Sequence, residues 1–318
     1  MTNFLRHLFG GKTEDPQAEK EKNDRKNFEL FKFDGLRAQR MGQMDYAIRC
    51  FQKALEIDRD FETLGYLTGT LIQLGRTDEA RPLLEEMEVQ EPELPATYLT
   101  LARVCYMTED YAAMKQQAER AIALDADNPL AFLLAAQAEK GADEPFHAIA
   151  HLTQAIQKKE DYTDAYLLRA EILAGMQQYA DAMKDADAVL AYTPDEENAL
   201  LLRGRMKEAL GQVGEAQADF AAVKELNPFN EQAYLLLGHS LIQSKHLDEA
   251  IACLDEAIEL NPNCAKAYLE RGQAKLLKGD KDGSVEDMKH SLELNPDTET
   301  DISGQFKNFN DLYANIPL

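Results

Sequence analysis

The sequence is short of features that mark several other classes of protein. Its four cysteines, in a chain of 318 residues, include no CxxC pair, so neither a zinc site nor a disulfide framework is indicated. No apolar run approaches the ~18 residues that a membrane-spanning helix needs. We therefore expect reduced, buried thiols, no transmembrane segment and a cytoplasmic location. The cysteines are Cys50, Cys105, Cys253 and Cys264.

Positive charge is also scarce. The chain has 34 basic and 57 acidic residues, which gives a net charge of −23 at pH 7. A chain of this charge repels a phosphate backbone, so nucleic acid is not an expected partner.

Motifs of catalysis and cofactor binding are missing as well. There is no Walker-type glycine loop and no Gly-x-Ser-x-Gly elbow. His147 and His151 have the four-residue spacing that can bind a metal ion on a helix, but no Glu, Asp or Cys in local motif spacing completes a site. The sequence therefore predicts no enzyme activity, no cofactor and no metal.

What the sequence does contain is a repeat of 34 residues. The tetrapeptide Glu-Leu-Asn-Pro occurs at 225–228, 259–262 and 293–296. Such a period is typical of a solenoid. Within 231–264, two clusters of small and apolar residues have helical spacing, which predicts two amphipathic helices with a break near Ser244 to Leu247. The clusters are Tyr234, Leu237, Gly238 and Leu241, then Ala250, Leu254 and Ala257.

This unit resembles the tetratricopeptide repeat. That family has an aromatic residue, Leu-Gly and Tyr in its first helix, Ala, an aromatic residue and Ala in its second, and a final Pro. Leu241 and Leu254 stand where the family has aromatic residues. Ankyrin repeats are close in length, but their Thr-Pro-Leu-His signature is absent. The matching residues are Tyr234, Leu237, Gly238, Ala250, Ala257 and Pro262.

The resemblance covers residues 28–298 and implies an all-α fold. We expect a right-handed superhelical solenoid of about eight helix-turn-helix repeats. Residues 1–12 are expected to be a short amphipathic segment, and 13–27 a charged linker. Residues 299–318 are expected to contain a C-terminal capping helix, because apolar residues recur at helical spacing from Ile302 to Ile316.

In this family the lining of the concave groove comes from one arc of the first helices. The fifth position of six consecutive repeats is leucine, and the ninth is mostly polar or charged. These positions predict a groove that binds a partner peptide or helix. Alternatively, tight stacking of neighbouring first helices buries the leucines. The predicted groove residues are Leu99, Arg103, Leu133, Gln137, Leu167, Glu171, Leu201, Arg205, Leu235, His239, Leu269 and Gln273.

The function that the resemblance implies is a non-catalytic scaffold or adaptor for a protein or peptide partner. The carboxylate clamp of chaperone-binding members is not expected, because only Lys32 and Arg103 stand at comparable positions. A second hypothesis is a structural or self-assembling scaffold, peripheral to a membrane or docked onto another copy through residues 1–12. Its anchors would be Phe4, Leu5, Leu8 and Phe9.

Overall fold

The computed structural model describes residues 16–296, and every regular element in that range is an α-helix. The helices follow one another with turns of a few residues. They are α1 Pro16–Arg40, α2 Met44–Ile57, α3 Phe61–Gln73, α4 Thr77–Gln90, α5 Pro95–Met107, α6 Tyr111–Leu124, α7 Pro129–Gly141, α8 Pro145–Lys158, α9 Thr163–Gly175, α10 Tyr179–Tyr192, α11 Glu197–Ala209, α12 Val213–Leu226, α13 Glu231–Gln243, α14 Leu247–Leu260, α15 Ala265–Lys278 and α16 Lys281–Leu294.

Each odd-numbered helix packs against the helix that follows it, and each such pair is one repeat. The break between α13 and α14 falls at residues 244–246, as the sequence predicts. The all-α repeat fold is therefore confirmed for the described residues. The chain divides into two compact units, of which the first ends at Lys158 and the second begins at Lys159. Among residues 16–296, each unit contributes four helix pairs.

The turn between the two helices of a repeat has the same backbone conformation in every repeat. One residue in each turn has a positive φ, the left-handed region that glycine enters without steric cost. Its amide continues the turn, as in the hydrogen bond from the amide of Gly75 to the carbonyl of Ile72, 3.0 Å long. Four repeats use glycine and four use another residue. These residues are Gly42, Gly75, Glu109, Asp143, Gln177, Gly211, Lys245 and Gly279.

The Glu-Leu-Asn-Pro motif ends the second helix and ties it to the first. The Asn261 side chain accepts a hydrogen bond from the amide of Asn263 at 3.0 Å, which makes a tight turn. The side-chain nitrogen Nδ2 of Asn261 also donates a hydrogen bond of 2.8 Å to the carboxylate of Glu231, at the start of the same repeat. Asn227 makes the same two contacts, with Phe229 and Glu197. The asparagine therefore closes the repeat as well as stopping the helix.

Close approach of the two helices in a repeat requires a small residue on the first. A Cβ atom on Gly238 would lie 2.8 Å from Leu254, and one on Gly35 would lie 2.5 Å from the ring of Phe51. Gly204 faces Phe220 in the same way. These large side chains fill the space that glycine leaves, which explains the small residue in the repeat pattern.

The charged stretch before the first repeat differs from the expected linker. Residues 16–27 are the beginning of α1, and the first side chain described as buried in that helix is Phe28. Alternating Lys and Glu residues favour helix even where nothing packs on them, because they have high helix propensity and form pairs one turn apart. Residues 1–12 and the predicted capping helix in 299–318 lie outside the described residues.

Candidate functional site

The predicted groove residues lie on first helices that pack side by side within each unit. Helix α5 contacts α7 in the first unit, and α9 contacts α11 and α13 contacts α15 in the second. We call the fifth and ninth residues of these helices the first-helix face. In the first unit it consists of Leu99, Arg103, Leu133 and Gln137. In the second it consists of Leu167, Glu171, Leu201, Arg205, Leu235, His239, Leu269 and Gln273.

The leucines of this face differ in burial. Leu133, Leu201 and Leu269 are buried, and Leu201 has 0% of its surface exposed. Leu201 shares a core cluster with Leu167 and Leu236 of the neighbouring first helices, so stacking of these helices buries it. The remaining leucines are half-buried and pack against the cores of their units, so only part of each side chain is accessible. They are Leu99, Leu167 and Leu235.

The ninth-position residues make up the accessible, polar part of the face. Arg103 is exposed, whereas the others are half-buried between neighbouring helices. A half-buried polar side chain combines a fixed position with access to a ligand. These half-buried residues are Gln137, Glu171, Arg205, His239 and Gln273.

His239 belongs to a charged group that is almost sealed from solvent. Its Nδ1 atom lies 3.5 Å from Oε1 of Glu270, whose side chain is 3% exposed. The Nζ atom of Lys266 lies 3.9 Å from the same oxygen. Burial alone would lower the pKa of His239, but the carboxylates of Glu270 and Glu208 outweigh burial and raise it. Charge is thus concentrated beneath this part of the face.

Glu270 occupies a position that the four preceding repeats fill with leucine. The equivalent residues are Leu134, Leu168, Leu202 and Leu236. Of these, Leu202 and Leu236 are as buried as Glu270, which is 2% exposed. Packing therefore does not require a carboxylate here, and desolvating one is costly. The fixed 34-residue register makes this replacement detectable in the sequence, although its burial is not.

Of the two residues comparable to a carboxylate clamp, Arg103 is exposed and Lys32 is engaged in ion pairs. The ammonium group of Lys32 lies 3.1 Å from Asp60 and 2.6 Å from Glu62. Burial would lower the pKa of Lys32, but these two carboxylates outweigh burial and raise it. Since Lys32 already pairs with two acids, it is a poor donor for a ligand carboxylate.

The two histidines of α8 have acidic partners, of which Glu139 comes from another helix and Glu144 lies three residues before His147. His151 Nδ1 lies 2.7 Å from Oε2 of Glu139, which comes from α7, and His147 Nδ1 lies 3.3 Å from Oε2 of Glu144. The Nζ atom of Lys115, from α6, lies 3.3 Å from Glu139 and 2.7 Å from Glu144. The hydrogen bond to Glu144 is the main cause that raises the pKa of Lys115. Residues from three helices thus form one cluster.

Two further predictions concern membranes. Within residues 16–296, no helix combines the length and the apolar character needed to cross a bilayer. The anchor residues Phe4, Leu5, Leu8 and Phe9 lie outside the described residues, so the hypothesis of membrane or self-association through them stays a prediction.

Comparisons with known families match several segments of the chain. The family model described as TPR repeat matches residues 238–279. The family model described as tetratricopeptide repeat matches residues 38–61 and 265–298. A third, described as anaphase-promoting complex, cyclosome, subunit 3, matches 175–257. A comparison with curated protein sequences gives no match.

Solved structures with a similar fold include a tetratricopeptide repeat protein from Parabacteroides merdae. It has 17% sequence identity and a TM-score of 0.59, and the match covers 76% of this chain and 96% of that one. PilF of Pseudomonas aeruginosa has 15% identity and a TM-score of 0.56, over 64% of this chain and 92% of that one. A chain of the APC/C hetero-tetramer Cut9–Hcn1 has 17% identity and a TM-score of 0.55, over 84% of this chain and 53% of that one.

At these identities the structural likeness shows the fold alone. The family is indicated by the matching repeat models together with paired helices that recur every 34 residues. The chain contains tetratricopeptide repeats, which the repeat models match at 38–61 and 238–298.

Proposed function

We propose that the protein is a non-catalytic scaffold that binds a peptide or helix of a partner protein on its first-helix face. Tetratricopeptide-repeat proteins are generally protein-interaction scaffolds, and this supports the class of partner. The position of binding is our inference from the charge and burial of the face.

The replacement of a buried leucine by Glu270 is the observation that carries the proposal. A buried carboxylate lowers stability relative to leucine, so its presence is explained best by a role outside folding. Glu270 contacts His239, whose side chain is 12% exposed. The group therefore offers a partner a fixed, charged contact beside the half-buried Leu235.

The substitution Glu270→Leu separates folding from binding. It restores the side chain that four preceding repeats have, and His239, unlike an arginine, can lose its proton when its carboxylate partner is removed. We therefore expect stability to increase by about 1–3 kcal/mol in urea unfolding. Capture of partner proteins from a lysate, quantified by mass spectrometry, should fall at the same time. A variant that captures its partners as well as the wild type would remove the main support for the proposal.

A pair of charge-reversal variants tests the location of the surface. Glu171→Lys with Arg205→Glu reverses two charges on the first-helix face of the second unit. The matched control, Asp181→Lys with Lys184→Glu, reverses an exposed ion pair of 2.7 Å on the second helix α10. We expect only the first variant to lose partner capture, with the helical circular dichroism of both unchanged. Equal capture by the two variants would place binding elsewhere.

A further inference from the structure

We propose that Glu139, Glu144 and His147 form a binding site for a divalent transition metal ion, for which Zn²⁺ is the best match. The site lies in the first unit, where the end of α7 meets the beginning of α8. It is separate from the first-helix face, so it does not depend on the proposed scaffold function.

The donor atoms already converge. One carboxylate oxygen from each glutamate and a ring nitrogen of His147 all lie within 4.8 Å of one another. Zinc bonds of about 2.0–2.2 Å require donor atoms roughly 3.4 Å apart in a tetrahedral site. Glu144 and His147 are 42% and 71% exposed, so their side chains are free to make the remaining adjustment. Glu139 is buried and supplies a fixed ligand.

A cation already contacts both carboxylates of this group. The ammonium group of Lys115 lies between the two carboxylates, 3.3 Å from Glu139 and 2.7 Å from Glu144. Its position shows that the two acids together favour positive charge at this point. Because the Lys115 side chain is 31% exposed, it has room to leave when a metal ion replaces it.

His151 positions the buried ligand. Its ring contacts Oε2 of Glu139, while the ammonium of Lys115 contacts Oε1. Carboxylates that bind metal ions are usually held by such a second partner, which fixes their orientation. His151 and His147 also have the i, i+4 spacing that places both imidazoles on one side of α8.

Ordinary pairing between helices does not explain the whole cluster. The residues equivalent to Glu139 and His151 are Lys207 and Asp219 in the sixth repeat, and Lys275 and Asp287 in the eighth. Those pairs span 2.9 Å and 2.8 Å, so Glu139 and His151 are the same cross-helix pair with its charges exchanged. Glu144 and His147 are additional, and they extend the pair towards solvent.

The types of donor limit the metal. Imidazole nitrogen favours Zn²⁺ and its neighbours over Mg²⁺ and Ca²⁺, which prefer shells made of oxygen. Three protein ligands leave a further position of a tetrahedral zinc ion open to water or to another ligand. The expected species is therefore a zinc ion bound reversibly near the surface.

Titration calorimetry with Zn²⁺ on the full chain tests the site. We expect one ion per chain, and His147→Ala should weaken its affinity at least about tenfold. Lys115→Met removes the competing ammonium and should strengthen binding about tenfold. The matched control is His290→Ala, because His290 forms a similar exposed pair with Glu293, 3.5 Å long and in the other unit. That variant should bind Zn²⁺ as the wild type does.

Cobalt provides a second readout. Co²⁺ bound by Glu and His ligands absorbs visible light, so the wild type and Lys115→Met should show a saturable absorption band that His147→Ala lacks. The proposal is overturned if neither the wild type nor Lys115→Met binds a single Zn²⁺ ion saturably. It is also overturned if His147→Ala and His290→Ala reduce Zn²⁺ binding equally.

Discussion

The two units fill the same position of the repeat with different chemistry. At the seventh residue, three repeats of the first unit have a buried apolar side chain, whereas three repeats of the second unit have arginine. The apolar residues are Leu67, Leu101 and Ala135, and the arginines are Arg169, Arg203 and Arg271. Repeats of one fold therefore tolerate either solution at the interface between their helices.

Each of these arginines forms a two-pronged ion pair with an aspartate on the second helix of its repeat. Arg203 donates from Nε to Asp219 at 2.9 Å and from Nη2 at 2.7 Å. Nη1 of Arg203 also contacts Asp187 of the preceding repeat at 2.9 Å. The same two-pronged bonds join Arg169 to Asp185 and Arg271 to Asp287.

The comparison indicates that charged side chains are tolerated at this interface between helices only when each buried charge has a partner of opposite charge. A buried ion pair adds little stability relative to apolar packing, but it is costly to break because one charge is left desolvated. Removing a side chain at the seventh position should therefore have different consequences in the two units.

The largest expected effect is that of Asp219→Ala. This change leaves both Arg203 and Lys207 without their buried carboxylate and should lower the free energy of unfolding by about 3–5 kcal/mol. Asp187→Ala is the control, because it removes an exposed partner of the same arginine. The control should lose less than about 1 kcal/mol in urea unfolding. Similar losses in both variants would contradict the role of burial.

The second prediction converts the sixth repeat to the chemistry of the seventh. The seventh repeat has Leu237, Leu241 and Cys253 where the sixth has Arg203, Lys207 and Asp219. The triple variant Arg203→Leu, Lys207→Leu, Asp219→Cys replaces all three charges together. We expect its stability to match or exceed that of the wild type by about 1–4 kcal/mol, because no charge is left unpaired. A loss as large as that of Asp219→Ala alone would show that the ion pair itself stabilises the unit.

The third prediction concerns acid. Burial would raise the pKa of Asp287, but hydrogen bonds from Arg271 and Lys275 outweigh it and hold the pKa below its usual value. Asp287→Asn should cost about 1.5–3 kcal/mol at pH 7, the range of charge-assisted hydrogen bonds. A carboxyl group with a lowered pKa stabilises the fold above its unfolded pKa of about 3.8. The difference between wild type and variant should therefore shrink as the pH falls below 4 and through the lowered pKa. A difference that stays constant from pH 7 to pH 2.5 would contradict this origin.

The fourth prediction concerns a feature that the two units share. Gly35→Ala in the first and Gly204→Ala in the second both place a methyl group against a phenylalanine ring, so each should cost about 1–3 kcal/mol. Gly69→Ala is the control, since a Cβ atom there meets nothing within 4 Å. Alanine should stabilise that exposed helical position by up to about 1 kcal/mol. Clearly unequal losses at the two phenylalanine contacts would show that the units pack differently here as well.

The cysteines report separately on the two units in all these experiments. Cys50 and Cys105 are buried in the first unit, and Cys253 and Cys264 in the second. Burial raises the pKa of Cys253 to about 11 and that of Cys264 to about 12, so these thiols react with labelling reagents only when their surroundings open. The labelling rate of each pair therefore assigns a loss of stability to one unit.

The helices were predictable from the sequence because their causes are local. The spacing of small residues such as Gly238 and Ala250 defines helix faces, and Pro262 defines the end of a repeat. The site was less predictable because burial and pairing depend on neighbouring helices. Sequence spacing alone could not show that Leu201 is in the core, or that Glu139 from α7 contacts His151 on α8.

The positive φ in each of the eight turns has a consequence for how such chains diverge. The residue type at this position varies among the repeats, because four have glycine and four have Glu109, Asp143, Gln177 or Lys245. The backbone is nevertheless uniform there, and a residue other than glycine enters that region at a steric cost. The repeats thus share a backbone conformation at this position, although the residue type differs from one repeat to another.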